Sequence, residues 1–272
     1  MINRILKIKS QINTIHPLIH CITNPISIND CANIVLAAGA RPIMAEHPDE
    51  VEEITLMSKA LAVNLGNITD ARMKSMMLSG KIALLNNIPS VIDVVGVACS
   101  RLRIDYAKKY IHENKPSVIK GNISEIRALC GIDSHPVGID AGKEDETTET
   151  TISENIETAQ RLSSSTGSVV MVTGKTDIIS SGGTTFLIKN GCDMMSNITG
   201  TGCMLNVLTA CFISSGNIQD GAVSAAVAFG ICGELSRETK GPGSFRTALL
   251  DSLYNLTDEQ ITKYIRLEEL RK

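Results

Sequence analysis

Short, nearly unbroken apolar runs alternate with stretches of helix length along most of this chain, and few folds accommodate that alternation. The runs at 17–22, 41–45, 60–64, 91–95, 117–120 and 168–173 read as strands. Between them, 2–14, 29–38, 48–59, 69–80, 102–113, 122–130 and 152–165 have the length and apolar spacing of helices. Strands with no polar face must be covered on both sides, so the pattern predicts an α/β chain with a mostly parallel central sheet between two helical layers. The segments 177–180 and 185–188, separated by glycines, add an antiparallel hairpin at one edge. Helices are expected again at 201–214, 220–238, 244–254 and 258–270. One stretch breaks the rhythm: 142–151 is acidic, rich in threonine and without periodicity, and is expected to be a solvated loop or the frayed start of the next helix. No repeat and no second shift in composition divide the 272 residues, so a single domain is expected, and 43% hydrophobic content suffices to fill its core.

Open parallel sheets bind ligands beyond the carboxyl ends of their strands. The residues expected there are Asn24, Met44, Asn64, Asp93, Lys120 with Asn122 and Glu125 just after it, Thr173 with Gly174, and the turn Asn197-Ile-Thr-Gly-Thr-Gly-Cys203. That turn runs into an apolar, helix-periodic segment from Met204 to Ile213. The N–H groups of Gly200, Thr201, Gly202 and Cys203 would then stand at a helix N-terminus, where unpaired donors and the helix dipole hold an anion such as a phosphoryl group in transfer. Cys203 shares that position, which is expected to lower its thiol pKa. Asp93, Glu125, Lys120 and an anion-binding turn together suit magnesium and a polyphosphate. Each has a plainer alternative. Asp93 can cap a helix, Glu125 can complete a first helical turn, Lys120 can be a solvated charge, and the turn can simply precede a core helix whose cysteine is a small hydrophobe. Their convergence at one sheet edge favours phosphoryl transfer.

Other functions are excluded by what the chain lacks. A net charge of −3, with no cluster of lysine and arginine interleaved with aromatics, argues against nucleic acid as a partner. Eight cysteines contain no Cys-x-x-Cys pair and no histidine at zinc-ligand spacing, and read as reduced core residues of a cytoplasmic protein. The amphipathic N-terminal segment is no signal peptide, and the apolar run 222–232 is too short and too rich in small residues to span a membrane. Gly174-Lys175-Thr176 looks like the end of a P-loop, but Val169 stands where that motif needs glycine, so a strand-ending turn is expected. His20 lies in an apolar run and is expected to be a satisfied core residue.

The ordered set His20-Cys-Ile-Thr-Asn-Pro25, Pro42-Ile-Met-Ala-Glu46, Gly121-Asn-Ile-Ser-Glu125, Val172-Thr-Gly174, Thr199-Gly-Thr-Gly-Cys-Met204 and Gly241-Pro-Gly-Ser-Phe245 resembles the hydroxyethylthiazole kinases, thiamine-salvage enzymes of the ribokinase-like superfamily. The resemblance spans nearly the whole chain. It implies a ribokinase-like three-layer sandwich, phosphorylation of 4-methyl-5-(2-hydroxyethyl)thiazole by ATP with Mg2+, and a homotrimer with active sites between subunits. By motif, Asn24, Met44 and Gly200 would contact the thiazole alcohol, Lys120 and Thr173 would contact ATP, Asp93 and Glu125 would serve the magnesium and phosphates, and Cys203 takes the place of the catalytic base. Two departures are visible. Asp93-Val-Val-Gly-Val-Ala98 replaces the family's Asp-Pro-Val-Gly-Ala-Gly, and Lys120 replaces an arginine whose planar fork binds phosphate in two places. A related hydroxymethylpyrimidine or sugar kinase is the alternative enzyme, against which Cys203 stands where those have aspartate. A ligand-binding relative without turnover is the alternative from another class.

Overall fold

The structure is a computed structural model and describes residues 1–132 and 151–271. The strands are β1 (Leu18–Ile22), β2 (Arg41–Ile43), β3 (Ala60–Asn64), β4 (Ser90–Asp93), β5 (Val118–Asn122), β6 (Val169–Thr173), β7 (Asp177–Ser181), β8 (Thr184–Ile188) and β9 (Leu267–Arg271). They form one nine-stranded sheet in the order β2-β1-β3-β4-β5-β6-β7-β8-β9. The pairs from β2 to β6 are parallel, and those from β6 to β9 are antiparallel.

Successive residues of a strand point to opposite faces, and here both faces are filled. Ala62, Val91, Val118 and Met171 enter one core, covered by α1 (Ile2–Ile15), α2 (Ile28–Ala37), α8 (Thr201–Ile213), α9 (Ile218–Ser236) and α10 (Pro242–Tyr254). Leu61, Ile92, Ile119 and Val170 enter the other, covered by α3 (Val51–Met57), α4 (Asp70–Leu85), α5 (Arg101–Asn114), α6 (Ile123–Leu129) and α7 (Ile152–Thr166). Each fully buried aliphatic side chain in these layers contributes about 1.5–3 kcal/mol. The apolar run at 222–232 lies within α9, where Ala222, Ala225, Ala226 and Gly230 are buried against neighbouring elements. No helix among the described residues is long and apolar enough to cross a membrane.

The C-terminal expectation was wrong. The helix expected at 258–270 ends early as α11 (Asp258–Tyr264), and the chain turns into β9, which pairs antiparallel with β8. Leucine, glutamate and arginine are good helix formers, so Leu267-Glu-Glu-Leu-Arg271 carries the local signal of a helix. Pairing overrides it, with Leu267 packing on one core and Leu270 on the other. The hairpin β7–β8 is therefore not the sheet edge. That place belongs to β9, whose exposed Glu268, Glu269 and Arg271 blunt it against further pairing. A 3-10 turn at Asp193–Asn197 was also missed. Positions 142–150 of the acidic segment lie outside the described residues.

Candidate functional site

Asn64, Asp93 and Lys120 are register partners across β3, β4 and β5. Each follows by two positions a residue of the α8-side core, namely Ala62, Val91 and Val118, so strand alternation turns all three side chains toward α8. Lys120 Nζ donates to Asp93 Oδ2 at 2.9 Å, and both side chains are buried, 4% and 3% exposed. Burial alone would push the lysine pKa down, but the charge and hydrogen bond of Asp93 outweigh it and hold the ammonium above its ordinary value. Lys120 is thus no solvated surface charge. A Cβ placed on Gly202 would lie 3.5 Å from its Nζ, which puts the ammonium directly beside the glycine turn.

The turn has the geometry its glycines predict. Gly200 sits at φ +94°, in the left-handed region, and a Cβ there would come within 2.9 Å of Ser27 Cβ, so both conformation and space require glycine. α8 begins at the next residue, and the Met204 N–H reaches back to the Gly200 carbonyl at 2.8 Å. The N–H groups of Thr201, Gly202 and Cys203 come before that first return bond and have no partner within the helix. The Thr201 hydroxyl donates to the Met195 carbonyl at 3.0 Å, tying the turn to the preceding 3-10 segment.

Cys203 lies half-buried at this helix start, and two amides point at it: Asn24 Nδ2 is 3.2 Å and Asn64 Nδ2 3.5 Å from Sγ. The expected lowering of its thiol pKa is reversed. Burial, followed by the negative charge of Asp93, raises it, against hydrogen bonds from Ser27 and Asn24 and the positive charge of Lys120. Loss of water is the largest of these effects. The plainer cysteines differ in kind: Cys21, Cys211 and Cys232 sit in core packing with their thiols pushed far up by burial, and Cys31 is raised to about 12.

Glu125 makes the contacts of its plainer alternative. Its Oε1 accepts the Gly96 N–H at 2.8 Å and its Oε2 the Asn122 N–H at 2.7 Å, while Asn122 accepts the Glu125 N–H in return, a complete capping box on α6. Burial and then the charge of Asp93 raise its pKa to about 8. The altered 94–98 turn keeps Gly96, at φ +79°, so the missing proline and glycine do not displace its N–H from Glu125. Among the described residues no three His, Cys, Asp or Glu side chains gather as a metal cage. Asp93 and Glu125 fit the other mode, in which Mg2+ takes one or two carboxylates and completes its shell with substrate phosphates and water.

Met44 and Thr173 flank this row, just past β2 on one side and at the end of β6 on the other. Met44 is half-buried against the α8-side core. Its neighbour Ala45 accepts from His20 Nε2 at 2.9 Å, and His20 Nδ1 lies 2.9 Å from the Thr55 hydroxyl, so the buried histidine secures the segment that carries Met44. The half-buried Thr173 donates to the Gly121 carbonyl at 3.4 Å. Contacts therefore unite Asn24, Asp93, Lys120, Gly200–Gly202 and Cys203, with Met44 and Thr173 at the ends. Asn64 belongs to the same centre, and its place at a strand end was the only sequence signal for it. Gly174 stands apart: its N–H is taken by Asp177 Oδ1 at 3.0 Å, as a strand-ending turn requires.

Comparison with known proteins gives this geometry its relatives. Residues 9–259 match the model of the hydroxyethylthiazole kinase family. Hydroxyethylthiazole kinase 2 of Clostridium botulinum (strain Okra / Type B1) is 60% identical over 262 residues, covering 96% of this chain and 99% of the relative. The solved hydroxyethylthiazole kinase of Pyrococcus horikoshii OT3 superposes with a TM-score of 0.90 at 31% identity, covering 99% of this chain and 100% of that one. Pyridoxal kinase of Staphylococcus aureus, at 13% identity and a TM-score of 0.64 over 94% of this chain and 99% of its own, shares the ribokinase-like fold alone. The extent of these matches places the chain in the hydroxyethylthiazole kinase family.

Proposed function

We infer that the chain phosphorylates the hydroxyl of 4-methyl-5-(2-hydroxyethyl)thiazole, with ATP as donor, yielding the thiazole phosphate used in thiamine salvage. Family membership over nearly its whole length carries the activity. The observation that carries the site is the buried Asp93–Lys120 pair beside the glycine turn. The hydroxyl attacks the γ-phosphoryl group in line, and little covalent chemistry is asked of the protein in so loose a transition state. What it supplies is position and fixed charge: the N–H groups of Thr201, Gly202 and Cys203 face the transferring group, and Lys120 adds a cation behind them. Asn24, Met44 and Gly200 hold the alcohol. Lys120 and Thr173 hold the nucleotide. Asp93 and Glu125 would hold Mg2+ together with the nucleotide, and the ion would supply neutralisation of phosphate charge. Cys203, whose thiol must first ionise against the burial that raises its pKa, accepts the hydroxyl proton as a thiolate and is left as the thiol.

The same reading makes the protein a cytoplasmic homotrimer with the thiazole site between protomers. Support comes from Ile26, an apolar side chain 70% exposed two residues beyond Asn24, and from a set of cysteines buried without disulfides. Purified protein given the thiazole alcohol and Mg-ATP should yield ADP and the monophosphate in equal amounts, and dilution that dissociates the oligomer should abolish turnover. A thermal shift with the alcohol but no ADP would overturn the activity, and a fully active monomer would overturn the shared site.

A further inference from the structure

The two amides around Cys203 are not free to rotate, and their orientation says what they do. Asn64 Oδ1 lies 2.8 Å from the Gly66 N–H, a group that can only donate, and also accepts from Asn24 Nδ2 at 3.1 Å. The other end of the Asn64 amide must then be its NH2, and this end faces Cys203 Sγ at 3.5 Å. Asn24 is fixed in the same way: its Oδ1 accepts the N–H groups of Ile26 at 3.1 Å and Ser27 at 3.2 Å, leaving Nδ2 for Asn64 and for Sγ at 3.2 Å. The cradle is tight. A Cβ on Gly66 would lie 2.7 Å from Asn24 Nδ2 and 2.8 Å from Asn64 Oδ1, so the amides hold their places only against glycine.

We propose that Asn64 is a positioning residue for the Cys203 sulfur, orienting Asn24 and presenting its own N–H so that Sγ is held as an acceptor at the start of α8. This rests on the reading of Cys203 as the proton acceptor. An N–H donor favours sulfur in its electron-rich form, the form in which it can take a proton from the substrate hydroxyl. Asn24 and the Ser27 hydroxyl also hydrogen-bond the sulfur, and Asn64 holds the first of these in place through its Oδ1. Asp93 on β4 opposes a negative sulfur, Lys120 on β5 favours it but is already bound to Asp93, and Cys31 on α2 is a neutral thiol donating toward Ser27. Asn64, itself 4% exposed and in register with Asp93, aims its donor at the sulfur against the effect of that carboxylate.

Asn64→Ala removes the donor and the acceptor without adding charge, and Asn64→Asp keeps oxygens for Gly66 and Asn24 but puts a carboxylate, with its negative charge, where the donor faced sulfur. Two readouts are followed: the rate of carboxamidomethylation of Cys203 by iodoacetamide at one pH, read on the Cys203 peptide by mass spectrometry, and steady-state kcat and KM for the thiazole alcohol. Asn64→Ala is expected to slow Cys203 alkylation and kcat each by tenfold or more, with KM changed less than threefold, and Asn64→Asp, which adds a buried charge beside Asp93, to slow both further and to lower the melting temperature. An unchanged alkylation rate and kcat in a folded Asn64→Ala protein would overturn the proposal, as would a loss confined to melting temperature. Should Asn64→Ala fold poorly, Asn64→Leu, which fills the same space with neither donor nor charge, decides. The two readings also separate. If Cys203→Ser turns over like the parent while Asn64→Ala still slows alkylation, the proton-acceptor role fails and the control of the sulfur by Asn64 stands.

Discussion

Two glycine turns lie at the same end of the sheet, and only one of them is built to receive an anion. At Gly174, which follows β6, the backbone N–H is already bonded to Asp177, and Gly174 and Lys175 are exposed. At Gly200, the chain enters a thirteen-residue helix whose first N–H groups have no partner inside it, and a buried lysine stands beside them. The sequences are alike in glycine, threonine and a nearby cation. The difference lies in whether the turn's donors are spent within the chain and whether its cation is desolvated, since charge acts far more strongly away from water.

The largest effect is expected from breaking the ion pair behind the productive turn. Asp93→Asn leaves Lys120 buried without its counter-charge and should cost about 3–5 kcal/mol in urea unfolding. Asp177→Asn, at the other turn, keeps an oxygen for the Gly174 N–H and should cost less than about 0.5 kcal/mol. Combining Asp93→Asn with Lys120→Met should restore stability without restoring turnover. Equal losses for Asp93→Asn and Asp177→Asn would erase the contrast.

Next in size is the turn itself. Gly200→Ala meets both the positive φ and the Ser27 contact, and should lower kcat by about 10²–10³ as the donors shift off target. Gly174→Ala should change kcat by less than about threefold, since its backbone bond survives. Between the cations, Lys120→Ala should raise the ATP KM by about tenfold or more, as expected when a charge-assisted bond worth about 1.5–3 kcal/mol is lost. The exposed Lys175→Ala should change it by less than about twofold. A larger effect at Lys175 would move the nucleotide to the other turn.

A further contrast is a slope with pH. Unfolded Glu125 ionises near its ordinary 4.5, whereas the folded carboxyl, desolvated and close to Asp93, holds its proton up to about 8. Between those values the native state binds the extra proton, so this group's contribution to stability falls as pH rises and levels off above 8. Glu125→Gln removes that slope. Its melting temperature relative to the parent should therefore climb from pH 5 to pH 9, and a flat difference would show that Glu125 titrates normally.

Much of this was legible before any coordinates. Doubly buried strands force a covered parallel sheet, which puts Asn24, Asp93, Lys120 and the glycine turn at one edge. Partnership was not legible. Nothing in the sequence says that Lys120 turns inward to Asp93, that Glu125 takes the Gly96 N–H besides capping its own helix, or that Asn64 reaches Cys203, because these contacts join residues 27, 29 and 139 positions apart. The thiol pKa went the wrong way for a related reason: a helix start is visible in sequence, whereas the depth of burial that opposes it is not. At the C-terminus, local helix preference hid a strand whose existence depends on an available partner in β8.

The central claim is that the Gly200–Gly202 donors and Cys203 act together on phosphoryl transfer, and single-turnover rates for the parent, Cys203→Ser and Cys203→Asp test it most directly. Serine offers no comparable anion to accept the proton and should slow transfer by about 10²–10⁴. Aspartate brings a carboxylate that the helix start favours and should retain much of the rate. Thermal melts of all three establish that the comparison is between folded proteins. Equal single-turnover rates for cysteine and serine would contradict the account, reducing Cys203 to packing and leaving catalysis to the backbone donors alone.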